Sequence, residues 1–156
     1  MSLELVSDSV AVTRDIGRRL GAACQAGAVV ALVGELGAGK TQLVKGLGAG
    51  LAVPDAEHIS SPTFILAAEY PGRLRLFHVD AYRLTGAEET ETIGLAEMLA
   101  ADGAVAVEWA DRIADALPED RLTVAMASTG ATARRLALDA GGPRSAALLD
   151  RFAVAG

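Results

Sequence analysis

The sequence predicts an α/β fold, because segments typical of strands and segments typical of helices alternate along the chain. The apolar run AVVALV (28–33) is typical of a parallel strand that is buried on both faces of a sheet. Two pairs of strand-like segments, each joined by a short turn, are predicted to form antiparallel hairpins.

The first third of the chain contains two predicted strand–helix units. LELV (3–6) is strand-like and precedes serine and aspartate residues that could cap a helix. A helix is predicted over 9–25, because apolar residues recur there at helical spacing. After the buried strand at 28–33, a second helix is predicted over 40–50.

The rest of the chain is predicted to contain two hairpins, a single strand and two helices. TFILAAEY (63–70) and RLRLFHVD (73–80) are joined by Pro71-Gly72, a residue pair typical of a type II turn. The remaining predicted elements are a helix over 86–101, a strand at 105–109, an antiparallel strand pair at 122–127 and 134–139, and a last helix over 144–154.

Length and composition restrict the class of protein. At 156 residues the chain has the size of one domain, which we predict over 1–156. No apolar stretch has the length of a membrane span, the N-terminus lacks signal-peptide features, and the single cysteine fits a reducing compartment. We therefore expect a cytoplasmic protein without a membrane partner. The net charge of −6 gives no general attraction to nucleic acid, so if the protein acts on RNA, we expect another subunit to bring the positive charge.

The most specific functional signal is GELGAGKT (34–41), which matches the G-x-x-x-x-G-K-[ST] pattern of phosphate-binding P-loops. Its glycines let the backbone curl around phosphate oxygens, and the helix that follows adds the positive end of its dipole. Lys40 is expected to neutralise the outer phosphates and to act in catalysis, and Thr41 to bind Mg²⁺. The predicted nucleotide-binding residues are Gly34, Glu35, Leu36, Gly37, Ala38, Gly39, Lys40, Thr41 and Gln42.

Carboxylates at two other predicted strand ends would complete such a site. Asp80 ends one strand-like run and Glu108 ends another, so both should reach the nucleotide edge of the sheet. One carboxylate would serve the metal and the other the attacking water. Thr63, in SPTF, is a candidate hydroxyl for sensing the γ-phosphate, and Trp109 is a candidate for covering the base.

Each of these residues also has a structural interpretation that the sequence leaves open. Acidic residues often end strands, a threonine after a proline often belongs to a turn, and a tryptophan can fill a core. His78 alternates with leucines on one strand face, so it is either a packed histidine or a catalytic one. Two histidines and one cysteine provide no zinc-ligand spacing.

ATP is the favoured nucleotide. Guanine-specific switch proteins use an N-K-x-D motif, and this chain contains no asparagine. In addition, Arg83 stands where the D-x-x-G motif of those proteins has its glycine.

Four motifs, in the same order and spacing, resemble the TsaE (YjeE) family of P-loop ATPases, which act in bacterial tRNA threonylcarbamoyladenosine synthesis. The motifs are GELGAGKTQLVKGL, SPTFIL, HVDAYRL and VEWADR, and the resemblance covers about residues 9–140. It implies a single-domain, P-loop NTPase-like three-layer sandwich with a central mixed β-sheet. It also implies a weak Mg²⁺-dependent ATPase that assembles with TsaD and TsaB homologues and contacts tRNA only indirectly, through that complex.

The resemblance also implies roles for individual residues. Lys40 would hold phosphates, and Thr41 and Glu108 would hold Mg²⁺. Asp80 would orient or activate the hydrolytic water, and Thr63 would belong to a switch segment.

Two other functions remain open from the residues alone. A small-molecule kinase shares the P-loop but usually carries an arginine-bearing lid, whereas the candidate segment 84–104 is acidic and contains no arginine. The other is a regulatory protein that binds the nucleotide without hydrolysing it.

Overall fold

The structure, a computed structural model, describes residues 1–35, 37–62, 66–85 and 87–155. Seven strands lie within these residues, namely β1 (Ser2–Ser7), β2 (Val29–Gly34), β3 (Ala67–Tyr70), β4 (Arg75–Asp80), β5 (Gly103–Glu108), β6 (Leu122–Ser128) and β7 (Arg134–Ala140). They form one sheet in the order β1-β7-β6-β2-β5-β4-β3. The central strands β6, β2, β5 and β4 run parallel. The pairs β1–β7, β6–β7 and β3–β4 are antiparallel, so the sheet is mixed as predicted.

Helices cover both faces of the sheet. The α-helices in the described ranges are α1 (Val10–Ala23), α2 (Lys40–Gly50), α3 (Leu95–Ala100) and α4 (Pro143–Ala155), and 3₁₀-helices span Ala56–His58, Ala87–Glu91 and Ala110–Ala116. Val30 and Leu32 of β2 belong to the core beneath α1, α2 and α4, whereas Ala31 belongs to the core on the opposite face. The three-layer α/β architecture is therefore confirmed. Of the helices in these ranges, none has both the length and the apolar character needed to cross a membrane.

The prediction of one continuous helix over 86–101 is wrong. The chain forms the 3₁₀-helix Ala87–Glu91 and then the short α3, which begins after Gly94. Gly94 has a φ of 74°, in the left-handed region that interrupts a right-handed helix. The acidic residues of the segment suggested helix, but this glycine separates the two pieces.

The first hairpin forms as predicted, but its turn differs. β3 and β4 pair antiparallel, although residues 63–65 of the predicted first strand lie outside the described residues. Gly72 does not adopt the positive φ that a type II turn requires at that position. A Cβ at this residue would lie 2.4 Å from the carbonyl oxygen of Leu51, so glycine permits a close approach to the end of α2.

The predicted strand at 105–109 ends one residue early. β5 stops at Glu108, and Trp109 adopts a φ of 56°, which no strand residue has. The other predicted strands and helices form within two residues of their expected bounds.

Cys24 lies at the C-terminal end of α1, where its side chain is 1% exposed. Burial raises the pKa of this thiol to about 12, against the opposing effect of the Arg73 and Arg151 guanidinium groups. Because only the thiolate is a strong nucleophile, Cys24 is an inert part of the core in the folded protein.

We expect Cys24 to react with Ellman's reagent, at about pH 8, about a thousandfold more slowly in the folded protein than in denaturant. Burial raises the pKa of the thiol from 9.0 to about 12, so a much smaller fraction of the thiol is ionised at this pH. Thiol titration with and without denaturant measures the ratio. Similar rates in the two conditions would contradict burial of the thiol.

Candidate functional site

A cavity of about 580 Å³ lies at the edge of the sheet where β2, β4 and β5 end. Because these strands are parallel neighbours, their carboxyl ends meet at this edge, next to the first turn of α2. The predicted site residues that line the cavity are Gly37, Gly39, Lys40, Thr41, Gln42, Asp80, Glu108 and Trp109.

The loop after β2 curls around the side chain of Lys40. Three of its residues have the positive φ that favours glycine, with 151° at Gly34, 82° at Gly37 and 100° at Gly39. The Lys40 Nζ donates to the carbonyl oxygens of Gly34 at 2.7 Å and Glu35 at 2.8 Å. The glycines allow the curled backbone that the P-loop pattern predicts, and in this structure two of its carbonyl oxygens accept from Lys40.

Lys40 is 5% exposed. Burial lowers the pKa of its ammonium group, and the carboxylates of Glu108, Asp80 and Asp111 partly oppose this shift. The ammonium also lies 4.0 Å from the centre of the Trp109 ring. A buried cation whose direct hydrogen bonds go to carbonyl oxygens, and not to a carboxylate, is well placed to bind a strongly anionic group.

Other predicted binding residues of the loop and of α2 occupy varied positions. Glu35 is exposed, and its backbone carbonyl faces Lys40, whereas Ala38 is buried. Gln42 lines the cavity, and its Oε1 accepts a hydrogen bond from Arg14 at 2.8 Å. Leu36 lies outside the described residues.

Glu108 faces the N-terminus of α2 from the end of β5. β5 pairs in parallel with β2, which places Glu108 opposite Leu32, just before the loop. The Thr41 hydroxyl donates to both carboxylate oxygens of Glu108, at 3.0 and 3.2 Å. A hydroxyl and a carboxylate this close are the hard oxygen donors that Mg²⁺ prefers, so the pair fits that ion.

His78 also contacts Glu108, a role that the sequence did not reveal. Its ring is fully buried, and Nε2 lies 2.6 Å from the Glu108 Oε2. Since a carboxylate only accepts hydrogen bonds, Nε2 is the donor. The histidine is therefore packed, as one interpretation held, and it also orients the carboxylate.

Asp80 lies beside Glu108 in the register of β4 and β5, and both are 3% exposed. Its Oδ1 accepts from the backbone N–H of Tyr82 at 2.9 Å, and its Oδ2 accepts from the Ser61 hydroxyl. Ser61 also lines the cavity, although Thr63 was the residue predicted in this motif. Thr63 itself lies outside the described residues.

Trp109 and Tyr82 form an aromatic pair at the cavity wall. Their ring centroids are 4.9 Å apart, and Arg112 lies over both rings, at 5.2 Å from Tyr82 and 5.5 Å from Trp109. The left-handed conformation of Trp109 turns the chain immediately after Glu108. Strained backbone of this kind is often retained at binding sites.

Arg134 is a further residue at the cavity that the sequence did not reveal. It begins β7, lines the cavity and contacts the loop carbonyls of Gly37 and Ala38. Its partners lie 96 and 97 residues away in the chain, so no local pattern connects them.

Comparison with known proteins identifies relatives of the whole domain. The family model described as "Threonylcarbamoyl adenosine biosynthesis protein TsaE" matches residues 7–136. A Treponema pallidum protein named "tRNA threonylcarbamoyladenosine biosynthesis protein TsaE" is 43% identical over 124 residues, which are 80% of this chain and 90% of that protein. The Bacillus subtilis protein of the same name is 38% identical over 133 residues, which are 85% and 82% of the two chains.

A solved structure shares the fold. The crystal structure of Bacillus subtilis YdiB superposes with a TM-score of 0.83 and 31% sequence identity, covering 99% of this chain and 96% of that one. From the extent of the matched residues and the identity to these relatives, the chain belongs to the TsaE family.

Proposed function

We propose that this protein binds ATP with Mg²⁺ in the cavity, hydrolyses it slowly, and thereby resets TsaD and TsaB homologues in cytoplasmic tRNA threonylcarbamoyladenosine synthesis. The observation that carries the proposal is the contact between the Thr41 hydroxyl and the Glu108 carboxylate, directly beside the buried Lys40. The cavity offers a suitable group for binding the phosphates, the metal and the attacking water.

Thr41 and Glu108 are the residues that would hold magnesium. When bound, the metal would supply positive charge that offsets the charge of the phosphates. Two carboxylates, Asp80 and Glu108, line the same cavity. Without a metal ion these carboxylates would repel a polyphosphate. The charge of the site therefore favours the metal–nucleotide complex over the free nucleotide.

Asp80 would orient the attacking water and accept its proton. The Ser61 hydroxyl and the Tyr82 N–H hold the carboxylate in a defined direction at the cavity. A general base requires such orientation, because it must contact a water molecule that is aligned for attack on the terminal phosphate.

The tRNA role rests on family membership together with the charge of the chain. The relatives are named for tRNA threonylcarbamoyladenosine biosynthesis, whereas this chain carries a net charge of −6. An acidic protein is poorly suited to binding the tRNA backbone, so it would act by docking on partner proteins that hold the tRNA. Conversion of ATP to ADP would then change the affinity for those partners.

Lys40→Ala should weaken Mg·ATP binding by about a hundredfold or more, because the phosphates lose a buried cation. Isothermal titration calorimetry measures the loss. Lys45→Ala is the matched control, since Lys45 is the only other lysine, and its exposed ammonium contacts the Glu57 carbonyl oxygen. Equal affinity of the Lys40 variant and wild type would place the phosphates elsewhere.

Glu108→Gln should raise the Mg²⁺ concentration needed for half-maximal nucleotide binding by about tenfold, because the metal loses an anionic oxygen. A magnesium titration at fixed ATP, followed through Trp109 fluorescence, measures this shift. Asp139→Asn, an exposed carboxylate on β7, serves as the control. An unchanged titration would remove Glu108 from the metal site.

Asp80→Asn should retain ATP affinity and slow single-turnover phosphate release by about a hundredfold, because an amide cannot take the proton of the water. The measurement is made with and without TsaD and TsaB homologues, which we expect to accelerate the wild type. Phosphate release by the variant at the wild-type rate would refute this role. No release from the wild type in either condition would leave a nucleotide-binding regulator.

A further inference from the structure

Arg134 connects the β6–β7 hairpin to the glycine-rich loop. Its guanidinium donates to two loop carbonyls, from Nε to Ala38 at 3.0 Å and from Nη2 to Gly37 at 3.1 Å. The other end of the group, Nη1, donates within the hairpin to the carbonyl oxygens of Ala133 at 2.8 Å and Gly130 at 3.2 Å and to the Ser128 hydroxyl at 3.3 Å.

These contacts determine which way two peptide units of the loop point. In a trans peptide the C=O and the N–H point in opposite directions. The guanidinium holds the carbonyls of Gly37 and Ala38, so the N–H groups of Ala38 and Gly39 turn away from it. For Ala38 this direction is toward the inside of the loop, because its N–H donates to the Glu35 carbonyl at 3.0 Å, the same oxygen that accepts from Lys40.

The geometry requires an arginine. Nε and Nη2 form one rigid edge of the guanidinium plane, and this edge spans two successive carbonyls of the loop. Nη1 remains available for the hairpin, which fixes the plane from the opposite side. A lysine has a single ammonium on a flexible stem and could not hold both carbonyls in place.

We propose that Arg134 is a positioning residue for the nucleotide, which fixes the two peptide units that it contacts in the orientation that the loop needs to receive the inner phosphates. This inference rests on the proposed function of the loop as the site for Mg·ATP. It adds to that site a residue from a distant strand, which acts through the backbone and does not itself contact the nucleotide.

The test compares Arg134→Met and Arg134→Lys with a neighbouring control, Arg135→Met. Arg135 follows on the same strand with an exposed side chain. We expect the affinities for Mg·ADP and Mg·ATP to fall equally, by about tenfold, in Arg134→Met, because the inner phosphates are common to both nucleotides. Arg134→Lys should lose nearly as much, since it keeps the charge but not the rigid edge, and Arg135→Met should bind like wild type.

A second measurement needs no nucleotide. In the free protein, the amide of Ala38 should exchange its hydrogen about tenfold faster in Arg134→Met than in wild type or Arg135→Met, because its peptide unit is no longer held. NMR-detected hydrogen exchange measures this rate, and thermal unfolding shows whether the fold is intact. If the methionine variant does not fold, the lysine variant gives both readings.

The outcomes separate this inference from the proposed function. Unchanged exchange at Ala38 would overturn the positioning role, as would wild-type affinity in Arg134→Lys, which would show that only the charge matters. A loss confined to Mg·ATP would also overturn it, since it would indicate direct contact with the γ-phosphate. Failure of the wild type to bind either nucleotide would instead reject the proposed function, together with any role of Arg134 in binding.

Discussion

Parallel pairing of β2 with β5 and β6 is the constraint on which the candidate site depends. Parallel neighbours end at the same edge of a sheet, so the loop after β2 meets the last residue of β5 without a long connection. The next parallel strand, β4, adds Asp80 in register with Glu108. A slip of one residue in this pairing would turn either carboxylate to the opposite face of the sheet.

The charged side chains of the site are almost completely buried. Lys40, Asp80 and Glu108 are each at most 5% exposed, and desolvation of charged groups costs free energy unless partners compensate. Neighbouring groups compensate this cost with hydrogen bonds. Thr41 and His78 donate to Glu108, and loop carbonyls accept from Lys40. Replacing buried charges with well-packed apolar residues of similar volume is often neutral or stabilising, so the stability of the fold alone does not explain these charges, whereas the proposed binding of nucleotide does.

Much of the fold follows from patterns that the sequence carries locally. The strand β2 and the helix α1 were assigned correctly. A strand buried on both faces is apolar throughout, whereas a helix buried on one face has apolar residues at helical spacing. The segment around Gly94 was misassigned, because one glycine in the left-handed region outweighed the helix propensity of its neighbours. The position of four cavity residues could be predicted, because each lies in a motif or at a strand end. They are Lys40, Thr41, Asp80 and Glu108.

Residues that act through their neighbours could not be predicted in this way. Ser61 and His78 reach the carboxylates only because separate elements converge, and Arg134 reaches the loop from the opposite half of the sheet. Such residues contribute a hydrogen bond at a long sequence separation, and nothing in their local sequence marks the partner. The contacts become visible only once the strand order is known.

The glycine-rich loop follows the central strand β2, and its contacts come from both sides, with β5 on one and the β6–β7 hairpin on the other. A ligand held there would contact elements from both halves of the sheet. Its binding free energy would add to the resistance of the entire domain to heat, not of one corner alone. The melting temperature of the domain would then rise with the fraction of molecules that hold the ligand.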